Sequence, residues 1–295
     1  MIRNALKSAF REFIHFQKRN QSNFVLTERV DEVFVISINR AEKRNCVNKE
    51  TAKQLLNAFE AFEKDDASKV AILCGKGGNF CAGYDLSEVV DSQHKQELAT
   101  IEKAPMGPSL MITNKPTIAA IDGYAVAGGL ELALLCDIRV CEETAVLGIF
   151  NRRFGVPLID GGTVRLPKIV GFGRAMDLIL TGRKVDAREA LAMGLVNSVT
   201  EVGTVLGRAM SLAQSLTKFP QQCLKADRRS AYYSTFEARS IQDALQFEYE
   251  NGVPIIEEES IEGAKKFVLS GIGKHGKFNL HNIDELMEKH NPKLV

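Results

Sequence analysis

Apolar positions along the chain change period several times, and the changes set the expected order of elements. VLTERV and DEVFVISINR alternate apolar and polar residues on either side of a charged turn, the pattern of two paired strands. From Asn48 to Asp65, Ala52, Leu55, Leu56, Phe59 and Phe62 fall at helical spacing on one face. KVAILCG is a short apolar run bounded by charge and glycine, as a buried strand requires, and the glycine-rich GKGGNFCAG follows it. TIAAIDG is a second such strand; it passes through GYAVAGG into a helix at ELALLCD, and IRVC forms the next strand. Strand, glycine turn, helix and strand at short period predict an α/β fold in which turns at strand ends converge on one site. From about Phe219 the pattern becomes helical and polar. The expected organisation is a core over residues 25–218 and a helical C-terminal region over 219–295.

The first 24 residues stand apart from this pattern. Arg3, Lys7 and Arg11 recur every four residues, Lys18 and Arg19 follow, and Ile2, Leu6, Phe10 and Ile14 share the spacing on a neighbouring face. Glu12 is the one acid among them. A basic, amphipathic, acid-poor start is the pattern of a mitochondrial transit peptide, and import into the matrix is the expectation. The alternative is a surface helix extending a cytoplasmic enzyme.

Composition narrows the function classes. Hydrophobic residues make up 45% and charged residues 25%, and the formal net charge is +1, so no global field points to nucleic acid or an anionic membrane. The longest apolar stretch, around Pro116 to Val140, is broken by Asp122, Glu131 and Asp137, and no membrane span is expected. The six cysteines form no Cys-x-x-Cys pair and have no histidine near them in sequence, which removes a zinc reading. Cys74 in AILCG and Cys136 in ALLCD read as small core residues.

Two segments carry candidate chemistry: Phe80-Cys81-Ala82-Gly83-Tyr84-Asp85-Leu86 and Gly123-Tyr124-Ala125-Val126-Ala127-Gly128-Gly129-Leu130-Glu131. Both follow an apolar run, and the second opens into a helix. Backbone N–H groups at a helix start lack intrahelical partners and suit an anion or a developing oxyanion. Glycine there admits a ligand without a Cβ in its way. Either turn alone reads equally well as a tight connection between buried elements.

Together and in this order, with INRAEKRNCVN before them and GGTVRLPKIVG and LTGRKVDAREALAMGLVNSV after them, the two turns resemble the paired oxyanion-hole motifs of the crotonase superfamily, the enoyl-CoA hydratase/isomerase family. The resemblance covers roughly residues 25–280. It implies a spiral of ββα repeats with a helical C-terminal region, assembled as a homotrimer or hexamer, acting on an acyl-CoA thioester that is substrate rather than cofactor. Carried over by position, it makes the N–H groups of Tyr84 and Gly128 the oxyanion hole. Ala82, Asp85 and Leu86 would lie along the CoA adenine and pantetheine path. Lys43 and Arg44 would sit near the CoA phosphates, or equally be solvated surface charges. Lys274 or Lys277 would meet the nucleotide.

Family hydratases use two glutamates, because syn addition of water needs one group to take its proton and another to deliver one to the α-carbon. Glu131 matches the first, in the first turn of the helix, where the dipole favours a carboxylate. Asn151 in GIFNRRFGVP occupies the second position, and a carboxamide can orient water but cannot act as an acid or base. Asp160 in PLIDGGTVRL is open to two readings: the second catalytic group, by its closeness in register to the aspartate of dienoyl-CoA isomerases, or a helix N-cap, the more usual role of Asp before Gly-Gly-Thr. Arg152 and Arg153 would pair with a substrate carboxylate or with Asp160, or lie in solvent.

Gly271-Ile-Gly-Lys-His-Gly276 matches G-x-G-x-x-G but follows a helical stretch without a βαβ unit, so a dinucleotide site is rejected. No G-x-S-x-G is present for a serine hydrolase. Three functions follow from the resemblance: a hydratase-like lyase with Glu131 as main base; an isomerase or decarboxylase, which needs fewer acid/base groups; or a non-catalytic CoA- or RNA-binding homologue. Glu131 and the two glycine turns argue against the last.

Overall fold

In the computed structural model, which describes residues 23–90 and 104–270, successive turns of the chain add strands to two sheets in alternation. Strands β1 (Val25–Val30) and β2 (Val33–Ile38) pair antiparallel and lead into helix α1 (Lys49–Lys64). β3 (Val70–Gly75) precedes the short α2 (Leu86–Val90). One ββα unit is β4 (Thr117–Ile121), β5 (Tyr124–Val126) and α3 (Gly128–Leu135). The next is β6 (Ile138–Glu142), β7 (Val146–Gly148), α4 (Gly162–Val170) and α5 (Phe172–Thr181). β8 (Val185–Asp186), α6 (Ala187–Ala192) and β9 (Ser198–Thr200) complete the sheets. The larger sheet has the order β1-β2-β3-β4-β6-β9 and is parallel from β2 onward; the smaller has the order β5-β7-β8. Single bridges, Val47 to Tyr84 and Cys81 to Ala125, carry the smaller sheet's pairing back toward the start of the chain. They bring both glycine turns to one place.

The apolar runs form buried strands because both faces of the larger sheet are covered. Ile72 and Cys74 of β3 and Ile118 and Ala120 of β4 face α7 (Val205–Thr217), which supplies Val205, Ala209 and Ala213. Leu73, Ala119 and Ile121 point the other way, into the cluster that contains Leu55 and Phe59 of α1. Burying one such side chain contributes roughly 1.5–3 kcal/mol. The ends of α1 follow the sequence expectation: the Thr51 N–H donates to Asn48 Oδ1 at 2.9 Å, and Asp65 is the C-cap. All six cysteines are unpaired, and Cys74 and Cys136 are buried among apolar neighbours.

Because α7 packs on the sheet, the helices that lie beyond the core begin with α8 (Gln221–Phe236), followed by α9 (Ile241–Ile255), a π-helical turn at Ile256–Ser260 and α10 (Ile261–Ser270). α8 buries little apolar surface; Ala226 and Ser230 are its buried residues. Its attachment is polar instead. Arg228 Nε donates to Asp137 Oδ1 and Oδ2 at 2.9 and 3.0 Å, Tyr232 Oη donates to Oδ1 at 2.9 Å, and Arg228 Nη2 donates to Thr113 Oγ1 at 2.9 Å. Removing one partner of a largely buried pair leaves an uncompensated charge. Asp137→Ala is therefore expected to cost about 2–4 kcal/mol in urea unfolding and to expose the α8–α9 segment to limited proteolysis. The basic leader, the Gly271–Gly276 stretch, Lys274 and Lys277 lie outside the described residues.

Candidate active site

The orientation of the Gly83–Tyr84 peptide is set by its neighbour across a bridge. The Val47 N–H donates to the Gly83 carbonyl at 2.8 Å, and the Asp85 N–H donates to the Val47 carbonyl at 2.8 Å. In a trans peptide the N–H points opposite to the C=O. The Tyr84 N–H is thus turned away from Val47, and the second glycine turn lies beside Gly83. The closeness of that turn is measured by Gly83 itself, at φ +97: a Cβ there would lie 3.0 Å from Ala127 Cβ and 3.2 Å from the Gly128 nitrogen. A Cβ on Gly129 would lie 2.1 Å from the Cys81 carbonyl oxygen, so the turns touch through backbone.

Ala127, the N-cap residue of α3, has φ 53 and ψ −129, a conformation that costs a residue with a Cβ of order 1–3 kcal/mol. Its N–H donates to the Gly148 carbonyl at 2.9 Å, which helps hold the strained turn. Gly128 opens the helix, where an N–H has no intrahelical acceptor. Among the described residues, neither the Tyr84 N–H nor the Gly128 N–H has a protein acceptor. Two backbone donors from different turns are left to a third party.

Glu131 stands three residues further along α3, on the face one turn from Gly128. It is 2% exposed. Its Oε1 accepts from the Gly162 N–H at 2.8 Å and from the Asp160 N–H at 3.0 Å. A Cβ on Gly162 would lie 2.8 Å from that same oxygen, so glycine is needed for the contact. Burial, then the nearby Asp160 charge, pushes the Glu131 carboxyl up to about 7, against the pull of those two N–H groups and of Arg165.

Asp160 is 4% exposed and does not cap α4. The N-cap is Gly161, and no side-chain cap bond is made. The capping role expected of Asp160 is therefore corrected: its Oδ1 accepts instead from the Met106 N–H at 3.0 Å and Ser109 Oγ at 2.5 Å. Burial raises its carboxyl, opposed by these donors and Arg165. Arg165 Nη1 donates to the carbonyls of Ser109 and Asp160, at 2.7 and 3.3 Å. Met106 ties the site together, since its Sδ is the atom a Cβ on Gly128 would meet at 2.7 Å.

The remaining sequence-derived residues take varied places. Asn151 is buried; its Nδ2 donates to the Val156 carbonyl at 2.8 Å, and its Oδ1 has no partner among the described residues. Among the described residues, neither Arg152 nor Arg153 pairs with Asp160. Their Nε groups donate to the carbonyls of Ile179 and Gly182, and Arg153 lies 3.7 Å from the Phe150 ring centroid. Lys43 and Arg44 are exposed, the latter 5.3 Å from the Tyr124 ring centroid, and the Ala82 N–H donates to the Arg44 carbonyl. Leu86 is partly open to solvent. Asp85 is buried, and both of its oxygens are engaged by protein: Oδ2 by Arg40, Oδ1 by Ser87. Its carboxylate is thus not free for CoA.

Sequence reasoning assigned no role to Met106, Ser109, Gly162 or Arg165. Gly162 and Arg165 carried a faint signal, as the second glycine of GGT and the lone cation in TVRLP. Met106 and Ser109 carried none, because their contacts span more than fifty residues.

Residues 28–271 match a family model described as enoyl-CoA hydratase/isomerase. A protein of Arabidopsis thaliana named probable enoyl-CoA hydratase 2, mitochondrial, is 35% identical over 200 residues, spanning 67% of this chain and 66% of that protein. The short-chain-enoyl-CoA hydratase of Clostridium acetobutylicum is 31% identical over 262 residues, 82% of this chain and 98% of the relative. Among solved structures, an enoyl-CoA hydratase of Mycobacterium tuberculosis superposes with a TM-score of 0.77 at 34% identity, covering 84% of this chain and 96% of its own.

Proposed function

We propose that this chain, which belongs to the enoyl-CoA hydratase/isomerase family, hydrates an enoyl-CoA thioester by stabilising its enolate. The observation that carries this reading is Glu131, buried beside Asp160 and one helical turn from Gly128, whose N–H, like that of Tyr84, has no protein acceptor among the described residues. The two N–H groups receive the thioester oxygen and strengthen their hold as it becomes an enolate oxygen. Hydration needs one carboxylate and one carboxylic acid at the same moment. Burial raises both carboxyls, and the Asp160 charge raises Glu131 further, so ionising both at once is opposed; one proton shared by the pair is the state this reading requires. Ionised Glu131 takes a proton from water as the water oxygen bonds to Cβ; the acid form of Asp160 gives its proton to Cα. Proton transfer between the two carboxyls restores the starting state. Asn151 takes no acid/base part, and its amide is occupied by Val156.

That same observation favours a second reading. A carboxyl pair that carries one proton can move a hydrogen between Cα and Cγ of an enoyl thioester with no water, which is isomerisation. Purified full-length protein with crotonyl-CoA separates the two. Hydration is expected to remove the enoyl-thioester absorbance and yield a product heavier by one water. An inert crotonyl-CoA together with rapid conversion of 3-butenoyl-CoA to the conjugated thioester would replace the hydratase reading by the isomerase one.

Two further expectations accompany the function. The basic leader supports a mitochondrial matrix location, and one plant relative carries the word mitochondrial in its name. Assembly as a trimer or hexamer is supported by an exposed apolar row on α9, Ile241, Leu245, Tyr249 and Val253, spaced by one helical turn. No helix among the described residues is long and apolar enough to cross a membrane.

A further inference from the structure

Arg40 and Asp85 form a buried ion pair that the chemistry above does not use. They are 7% and 9% exposed, and Arg40 Nη2 donates to Asp85 Oδ2 at 3.2 Å. A buried pair is a weak source of stability, since desolvation offsets most of the attraction. Its placement is more informative. Arg40 Nη1 donates to the carbonyl of Cys46 at 2.5 Å, so one guanidinium holds the residue before Val47 and the residue after Tyr84. Val47 and Tyr84 are the bridge partners whose bonds turn the Gly83–Tyr84 peptide. Both ends of the clamp are themselves fixed. Asp85 Oδ1 accepts from the N–H and Oγ of Ser87 at 3.2 and 2.8 Å. The Arg40 N–H donates to Asn45 Oδ1 at 2.8 Å, and its guanidinium lies 5.1 Å from the Phe24 ring centroid. Among the described residues, Arg40 Nε is buried without an acceptor. The guanidinium is thus placed for Cys46 and Asp85 at the expense of its own remaining donor.

We propose that Arg40 and Asp85 are a positioning pair for the Gly83–Tyr84 peptide, the first oxyanion donor. The proposal rests on the oxyanion reading given above. The pair touches no substrate atom; it holds the bridge from both sides so that the Tyr84 N–H keeps its aim. A planar fork that reaches two acceptors is what arginine supplies and lysine does not.

The test uses cinnamoyl-CoA, whose conjugated thioester absorbs at longer wavelength when its carbonyl is polarised. Wild-type protein is expected to bind it with a red-shifted band. Arg40→Met and Asp85→Asn are expected to lose most of that shift and to lower kcat on crotonyl-CoA about tenfold to a hundredfold, while the dissociation constant changes less than about threefold. Arg40→Lys, which keeps the charge without the fork, is expected to fall between, and it carries the test with Asp85→Asn if Arg40→Met does not fold. Variants that bind cinnamoyl-CoA with the full red shift would overturn the proposal, whatever their kcat. A wild-type protein that binds without any red shift would instead overturn the oxyanion reading beneath it.

Discussion

Glu131→Gln is expected to lower kcat on crotonyl-CoA by about 10²- to 10⁴-fold, the usual worth of a positioned proton-transfer group. Binding of CoA should survive, because the amide oxygen of glutamine can still accept from the Asp160 and Gly162 N–H groups. A second consequence concerns stability. A carboxyl that titrates near 7 when folded, against 4.5 as its ordinary value, binds more protons in the native than in the unfolded state between those pH values. Stability then falls as pH rises through that window. The variant, which has no proton to lose there, is expected to be more stable than wild type by up to about 3 kcal/mol above pH 7, with the difference vanishing below about 4.5. Urea unfolding at two pH values checks this beside the kinetics. A mutant that is more stable and nearly inactive is the signature of a group kept for chemistry at a cost to the fold. Retained wild-type turnover would remove Glu131 from the mechanism.

Asp160→Asn is expected to do two things that no loss of a helix cap would do. Turnover should fall about 10²-fold or more, since the acid that serves Cα is gone. The pH dependence of the remaining activity should also move. In wild type, kcat/KM for hydration is expected to fall as pH rises through about 7, where the carboxyl pair gives up the one proton it shares. The Asp160 charge is one of the causes that raise the Glu131 pKa. Its removal is expected to let Glu131 ionise at lower pH, so that the remaining activity no longer falls through pH 7. The same pH profile is expected in the dehydration direction, because hydration consumes no net proton and kcat/KM in the two directions differ only by the equilibrium constant. A residual activity whose limb stays where it was would show that Asp160 does not face Glu131 in the working enzyme.

How much of this was legible in the sequence depends on how local the cause was. Period and punctuation found β1 to β4, the bounds of α1 and the helix after the second glycine turn, because those signals are carried by residues within one element. The glycine turns were visible as turns, and their pairing was visible through resemblance. Their physical contact rests on Cys81 meeting Ala125 and Gly83 meeting Gly128, separations that no window on the sequence spans. The same limit left Asp160 open between a helix cap and a catalytic group. Asp before Gly-Gly-Thr is a sound local pattern for a cap, yet Met106 and Ser109, 54 and 51 residues away, offer donors that a helix start did not have to supply. The partner of Asp85 was hidden for a related reason: Arg40, which takes its carboxylate, stands 45 residues earlier. The start of the C-terminal helices was placed within two residues of α8, because a change from apolar to polar composition is a local signal.

The central claim is that Glu131 carries a proton for enolate chemistry on an acyl-CoA thioester, and hydration of crotonyl-CoA in D₂O tests it most directly. The account predicts a 3-hydroxybutyryl-CoA product with one deuterium at Cα from the wild-type chain, and unchanged crotonyl-CoA from Glu131→Gln under the same conditions. Crotonyl-CoA that binds to the wild-type protein and is recovered without product or deuterium, or a Glu131→Gln variant that labels Cα as fast as wild type, would contradict it.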